Sequence, residues 1–352
     1  MVAHRVAPHL SPELNVDVVV IPPRGGGAPP QKKGFCPYHF VLSLKTPFYF
    51  GLWYALNVYY NIVNKKLMNR LPLPVTLGTI QLLVGSIYVY FSWMTNIRSR
   101  PDAKFHGDSA VRSVGMYHGL GQIFSMVSMN AGSISFTHIV KALEPFFSAG
   151  VSAVVFKKLM NPVVYSTLIP VVSGVGIACL KDLSFTWLGF VTALGSNAVF
   201  ACRAVFSKMI LTSSNISAPN LYGLVTIEAF KFALPLVLLE LFFSPAPLTS
   251  MWDDAVSASD GSTLALFKSI VFSGLFHYLN NEVMYLALNN VHPVTLAVGN
   301  TMKRVFIIVA SVLVFQTQVS TTTAVGSTIG ILGVLLYSLT KQHYEKLETI
   351  GK

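Results

Sequence analysis

Between Thr46 and Thr340 the chain is a row of apolar stretches, each near the length that crosses a bilayer as one helix. About 20 mainly apolar residues cover the ~30 Å hydrocarbon core. Ten stretches qualify: 46–64, 72–94, 112–130, 133–156, 162–180, 186–209, 219–243, 265–288, 294–316 and 321–340. Only 11% of the 352 residues are charged, against roughly 25% in a soluble chain. That leaves too little polar surface for a water-soluble fold. It excludes a cytosolic enzyme, a disordered protein and a secreted disulfide scaffold. Cys36, Cys179 and Cys202 have no paired spacing. The net charge is +11, but no soluble basic face exists to bind nucleic acid. The sequence predicts an all-α membrane protein with ten transmembrane helices.

Residues 1–44 differ in composition. Arg24 to Pro30 (RGGGAPP) and Lys32-Lys33 read as a flexible basic leader, without a signal-peptide apolar core. Breaks such as Asn69-Arg70-Leu71-Pro72, Met160-Asn161-Pro162 and Gln318-Val319-Ser320 separate the stretches. The link 244–263 is the longest, polar and acidic through Asp253, Asp254 and Asp260. Lys and Arg in the links number fifteen on the side of the termini and five on the other. The excess predicts that both termini face the cytosol. Residues 148–177 align without gaps to 307–336, matching Ser152 to Ser311, Val155 to Val314, Phe156 to Phe315 and Gly174 to Gly333. That displacement is five stretches, an odd number, so the halves would be inverted in the membrane. The expected organisation is a leader (1–44), a first five-helix repeat (45–180), a second, inverted one (181–341) and a C-terminal tail (342–352).

Five cations lie inside the apolar stretches away from their ends: Lys141, Arg203, Lys231, Lys303 and Arg304. An ammonium or guanidinium at a helix centre costs roughly 2.5–3.5 kcal/mol on insertion scales. One reading is internal pairing. Glu144 is three residues from Lys141, and Glu228, Glu240 and Glu282 are also available. Lys231 and Glu228 suit such a pair. The other reading is a buried anion site. Arg offers a planar fork to phosphate oxygens and Lys a point charge. Lys141, Lys303 and Arg304 suit a phosphate dianion, and Arg203 can take a carboxylate. Thr137 shares a helical face with Lys141. Gln122 and Ser125, three apart, can add hydrogen bonds from one face. His118, His277 and His292 form no metal cluster and read as polar lining. Gly115-x-x-x-Gly119 and Gly326-x-x-x-Gly330 permit close helix contact. No nucleophile–base pair, zinc motif or phosphate loop is present, so neither enzyme activity nor a cofactor is expected.

Three segments resemble the plastid phosphate translocators. Trp53–Lys66 (WYALNVYYNIVNKK) is similar to their first span, Ser135–Phe147 (SFTHIVKALEPFF) to their fourth and Val298–Val305 (VGNTMKRV) to their ninth. The resemblance covers about residues 45–341. It implies the drug/metabolite transporter architecture: ten helices, two inverted five-helix halves and one central site. It also implies exchange of inorganic phosphate for phosphorylated three-, five- or six-carbon compounds. By position, Lys141, Lys303 and Arg304 match residues that hold the phosphate. Arg203, in Phe200–Lys208 (FACRAVFSK), matches an arginine near the rest of the substrate. Thr137 and His138, in the fourth-span motif, join the candidate site. Ser125 stands where triose-phosphate members have Thr. Two positions depart: Gln122 replaces a His, as the amide of phosphoenolpyruvate members does, and Asn280 replaces a Tyr. The resemblance therefore implies a carrier that accepts phosphoenolpyruvate beside triose phosphate and 3-phosphoglycerate. The leader fits an apicoplast-type plastid membrane.

The expected mechanism is antiport by alternating access, because an empty site leaves like charges repelling in a low dielectric. A nucleotide-sugar:nucleotide antiporter of the Golgi or ER is the alternative carrier. An anion channel lined by the same cations, or a receptor-like membrane protein without flux, are alternatives of other classes.

Overall fold

Prolines and small polar residues set the ends of the helices in the computed structural model, which describes residues 37–157, 159–290 and 293–350. The leader up to Cys36, and His292, lie outside the described residues. Every described element is helical: α1 (Pro37–Arg70), α2 (Pro74–Met94), a 3-10 turn (Ala103–Phe105), α3 (Ser109–Ala131) and α4 (Ile134–Val140). A second 3-10 turn (Lys141–Leu143) leads into α5 (Glu144–Phe156), then α6 (Pro162–Ser166), α7 (Leu168–Leu180), α8 (Trp187–Ser213) and α9 (Ala218–Phe242). The chain ends with α10 (Leu248–Ser257), α11 (Thr263–Asn290), α12 (Pro293–Phe315) and α13 (Thr321–Ile350). The described residues from Leu42 onward form one compact unit.

Local chemistry explains several boundaries. Pro74 and Pro162 open helices, where a missing N–H costs nothing. Asp108 and Asn161 accept from the first free amides of α3 and α6. Glu240 of α9 reaches the start of α2 and accepts from Val75 N at 2.8 Å and Thr76 N at 2.6 Å. Lys65 of α1 donates to Met129 O at 2.7 Å and Gly132 O at 2.8 Å, closing the carbonyl end of α3. Each charge thus meets the helix end of opposite partial charge.

Each apolar stretch falls on a helix or a broken pair of helices. Among the described residues, six spans are long and apolar enough to cross a membrane: 74–94, 134–156, 162–180, 187–213, 298–315 and 321–348. Helix α3 falls short, because Arg112, His118 and Gln122 dilute it. The link 244–263 is not simply exposed. Its helix α10 buries Met251 and Ala255 against Leu67, Met68 and Leu71. Helix α13 continues to Ile350, through most of the segment expected as a tail.

Burial is distributed as in a membrane protein. Phe242 is 80% exposed, whereas Asn64 is 0% exposed. Apolar side chains cover the outside, and amides and hydroxyls sit between helices. Helix α2 packs on α9, α4 on α12 and α7 on α13, while α3 fills the middle against α8 and α9. Small residues permit the closest contacts. A Cβ on Gly119 would meet Ala229 O at 2.9 Å, and one on Gly326 would meet Gly174 O at 2.7 Å. Gly326→Val is therefore expected to separate α7 from α13 and destabilise the protein by about 1–3 kcal/mol. A thermal melt in detergent that matches the unsubstituted protein would refute that packing.

Candidate functional site

Pro145 starts the construction of the site. It has no N–H to offer the carbonyl of Lys141. The amide of Glu144 bonds Lys141 O instead, and the chain tightens into the 3-10 turn Lys141–Leu143. In a continuous helix Glu144 N would have bonded Val140 O. That orphaned carbonyl accepts from Asn197 Nδ2 of α8 at 3.0 Å. Lys141 thus sits at a break in a membrane helix, braced from a neighbouring helix. A mid-helix 3-10 stretch often marks a hinge or a site.

From this break Lys141 Nζ donates to Ser125 Oγ of α3 at 2.6 Å and stands 5.0 Å from the centre of the Phe200 ring of α8. Ser125 also shares a hydrogen bond with Ser196 at 2.8 Å. Lys303 Nζ of α12 lies 4.5 Å from the centre of the Trp53 ring of α1. Arg304, one residue on, pairs with Glu144 of α5. Arg203 lies over Phe200, its guanidinium carbon 5.0 Å from the ring centre, and bonds His118 Nδ1 at 3.3 Å. Arg304, Glu144, Lys303 and Arg203 all act electrostatically on Lys141. Four cations from three separate elements therefore face one region with a single close carboxylate. The aromatic faces hold the cations without neutralising them.

A cavity of about 330 Å³ reaches this region, lined by Glu144, Asn300, Arg304, Tyr337, Ser338 and Lys341 among others. The Glu144 side chain is 46% exposed within it and the Arg304 side chain 11%. Arg304 is thus accessible beside a carboxylate that can yield to another anion.

The remaining candidates divide. His138 stays near the cations, within electrostatic reach of Lys141, Arg304 and Lys303, and its Nε2 pairs with Asn61 Oδ1 at 3.0 Å. Thr137 turns away. Its hydroxyl pairs with Ser128 at 2.9 Å. Gln122 and Ser125 also diverge. Gln122 donates to Tyr60 at 3.1 Å and to Gln81 at 2.8 Å, in a network that continues to Asn64 and Ser273. Asn280 accepts from Asn57. Glu144, expected beside Lys141, takes Arg304 across the helix interface, because Lys141 bends toward Ser125 and Phe200. Lys231 pairs with Glu228 at 2.6 Å, as its spacing suggests. Glu240 and Glu282 serve elsewhere, at the start of α2 and against Arg98.

Several contributors were not anticipated. Phe200 and Trp53 open two of the segments that carry the resemblance, but they are distant in sequence from the lysines they face, and nothing local assigns them that role. Asn57, Asn61 and Asn64 did carry a signal. Spaced at i, i+4 and i+7, they form one buried amide stripe on an otherwise apolar helix.

A helical membrane protein that gathers cations between its helices, with one of them, Arg304, lining a cavity, is built to hold an anion. Residues 44–338 match the Triose-phosphate Transporter family. The chain belongs to that family, which is one of transporters rather than enzymes. It is 39% identical over 303 residues to a triose phosphate/phosphate translocator, chloroplastic, of Flaveria trinervia, covering 86% of this chain and 73% of the relative. It is 36% identical over 304 residues to phosphoenolpyruvate/phosphate translocator 1, chloroplastic, of Oryza sativa subsp. japonica, covering 85% and 72%. A solved structure, 12% identical, shares the fold with a TM-score of 0.51 over 83% of this chain and 98% of that one.

Proposed function

We propose that this protein is a secondary antiporter. It exchanges inorganic phosphate for phosphorylated three-carbon compounds across a plastid membrane. The observation that carries the reading is the convergence of Lys141, Lys303 and Arg304, with Ser125, beside a solvent-reached cavity. An arginine fork and two ammonium groups suit the oxygens of a phosphate dianion. The named exchange activities of the two chloroplast relatives support the same class of substrate.

Ten membrane helices in two inverted repeats, 45–180 and 181–341, are the architecture that best fits these contacts. Counting α4–α5 and α6–α7 as one span each, α2 packs on α9, α4 on α12 and α7 on α13. Each of those partners is five spans away. The repeat position Gly174/Gly333 lies in the α7–α13 contact. Such pairing supports a pseudo-two-fold between halves. Alternating access then turns on the break at Lys141. Both termini are placed on the cytosolic side by the charge of the links. An apicoplast-type membrane is the finer location, favoured by the basic, Gly/Pro-rich leader.

The test is uptake of labelled phosphate into liposomes carrying the protein and preloaded with phosphate. Phosphoenolpyruvate, 3-phosphoglycerate and dihydroxyacetone phosphate are expected to compete. Competition by UMP alone would move the protein to nucleotide-sugar exchange.

A further inference from the structure

We infer that a crevice between α4, α12 and α13 is a lipid site. It takes one acyl chain along its length and an uncharged, hydroxyl-bearing headgroup at its polar end. The inference goes beyond the antiporter reading and stands or falls separately from it.

The crevice encloses about 540 Å³ and shares no lining residue with the cavity beside Arg304. Its walls come from α4, α12, α13 and the link between α7 and α8. Val309 is 52% exposed and Leu313 65%, so it opens to the apolar exterior of the protein. Along α12 the lining starts at Val305 and continues past the helix end at Phe315. That is a rise of about 15 Å at 1.5 Å per residue. One leaflet supplies half of the ~30 Å hydrocarbon core. The crevice is therefore about as deep as one layer of acyl chains.

Its two ends differ. Ile139, Val305, Ile308 and Ile331 make the deep end apolar. The rim is formed by the links after α7 and after α12. These links are four spans apart, an even number, so both leave the membrane on the same side and the rim meets the water interface. There Asp182, Ser184, Ser133 and Ser135 are joined in that order by hydrogen bonds of 2.6, 2.8 and 2.9 Å. Asp182 Oδ1 accepts from both the amide and the hydroxyl of Ser184, which leaves Oδ2 without a partner among the described residues. Thr317 Oγ1, on the same rim, is buried and also has no partner. Buried polar atoms are nearly always hydrogen-bonded, and exceptions need an explanation.

Charge selects the headgroup. Among the described residues Asp182 is the one charged side chain that lines the crevice, and no lysine or arginine does. Pockets that take anionic lipids are basic. A lipid phosphate would find no cation here and would meet the Asp182 carboxylate. A carboxylate oxygen accepts, and a threonine hydroxyl both donates and accepts. Hydroxyl groups on a headgroup without phosphate satisfy both. The deep end adjoins the helices of the substrate site. Val305 follows Arg304, and Ile139 lies two residues before Lys141. The acyl chain thus packs on the elements that carry those cations.

The deciding measurement is native mass spectrometry of the full chain in detergent. A diglycosyl diacylglycerol, a phosphatidylglycerol and a phosphatidylethanolamine with matched acyl chains are offered together. The glycosyl lipid is expected to be retained at least about fivefold more than either phospholipid, the equivalent of one hydrogen bond. Thr317→Val is expected to remove most of that preference, and Asp182→Lys to reverse it toward phosphatidylglycerol. Val309→Trp, at the half-exposed mouth, is expected to lower retention of all three about tenfold, and it reads the crevice even where Asp182→Lys does not fold. Equal retention of the three lipids, a preference for phosphatidylethanolamine, or retention unchanged by Val309→Trp would overturn the site. Dissociation of a dimer by Val309→Trp with lipid retention unchanged would assign the face to a second copy and overturn it too. None of these outcomes touches the antiporter reading, which phosphate exchange tests.

Discussion

Arg304→Ala is expected to lower phosphate exchange by at least about a hundredfold, while the protein still elutes as a single folded species in detergent. Two losses combine. The fork that can hold two phosphate oxygens disappears, and each charged hydrogen bond is worth about 1.5–3 kcal/mol. Glu144, now without its partner, leaves a carboxylate facing the incoming dianion. The second loss makes the prediction specific. Adding Glu144→Gln to Arg304→Ala is expected to restore part of the exchange, because it removes the repelling charge. A double-mutant cycle isolates that coupling. Near-normal exchange in Arg304→Ala alone would remove this residue from the site. An unchanged defect in the double variant would show that Glu144 does not act through Arg304.

Liposomes without internal phosphate are expected to take up labelled phosphate at least about tenfold more slowly than loaded ones. The reason is the charge left when the site is empty. Glu144 compensates Arg304, but Lys141 rests on a serine and an aromatic ring, Lys303 on a tryptophan and Arg203 on a phenylalanine and a histidine. None of these contacts neutralises a cation. Closing the empty site would remove three charges from water, at several kcal/mol each. The unloaded carrier is therefore held open to solvent, and bound anion permits the transition. Equal uptake in loaded and empty liposomes would contradict this, and currents far above carrier turnover would identify a channel.

Much of the architecture was legible in the chain, because a bilayer restricts what apolar stretches can do. The breaks at Asn69–Pro72, Met160–Pro162 and Gln318–Ser320 coincide with helix ends. The Gly-x-x-x-Gly pairs coincide with close contacts. Lysines and arginines inside apolar stretches stood out for their cost alone. The pairing of those charges was less legible. Spacing put Glu144 beside Lys141, yet Arg304 reaches across the helix interface and takes its carboxylate. Spacing also grouped Thr137 with Lys141 and Gln122 with Ser125. The structure uses Thr137 to lock α4 to α3 and ties Gln122 into the amide network of α1 and α2.

Sequence alone determined that the chain is helical, belongs in a membrane and carries cations where water is scarce. Those properties are set residue by residue, by the transfer cost of each side chain and the absent N–H of each proline. Only the tertiary structure decided which cation meets which partner. The site joins α1, α3, α5, α8 and α12, and hydrogen bonds and ring contacts act over a few ångströms. Residues such as Trp53 and Lys303, 250 positions apart, become neighbours only after the helices have packed.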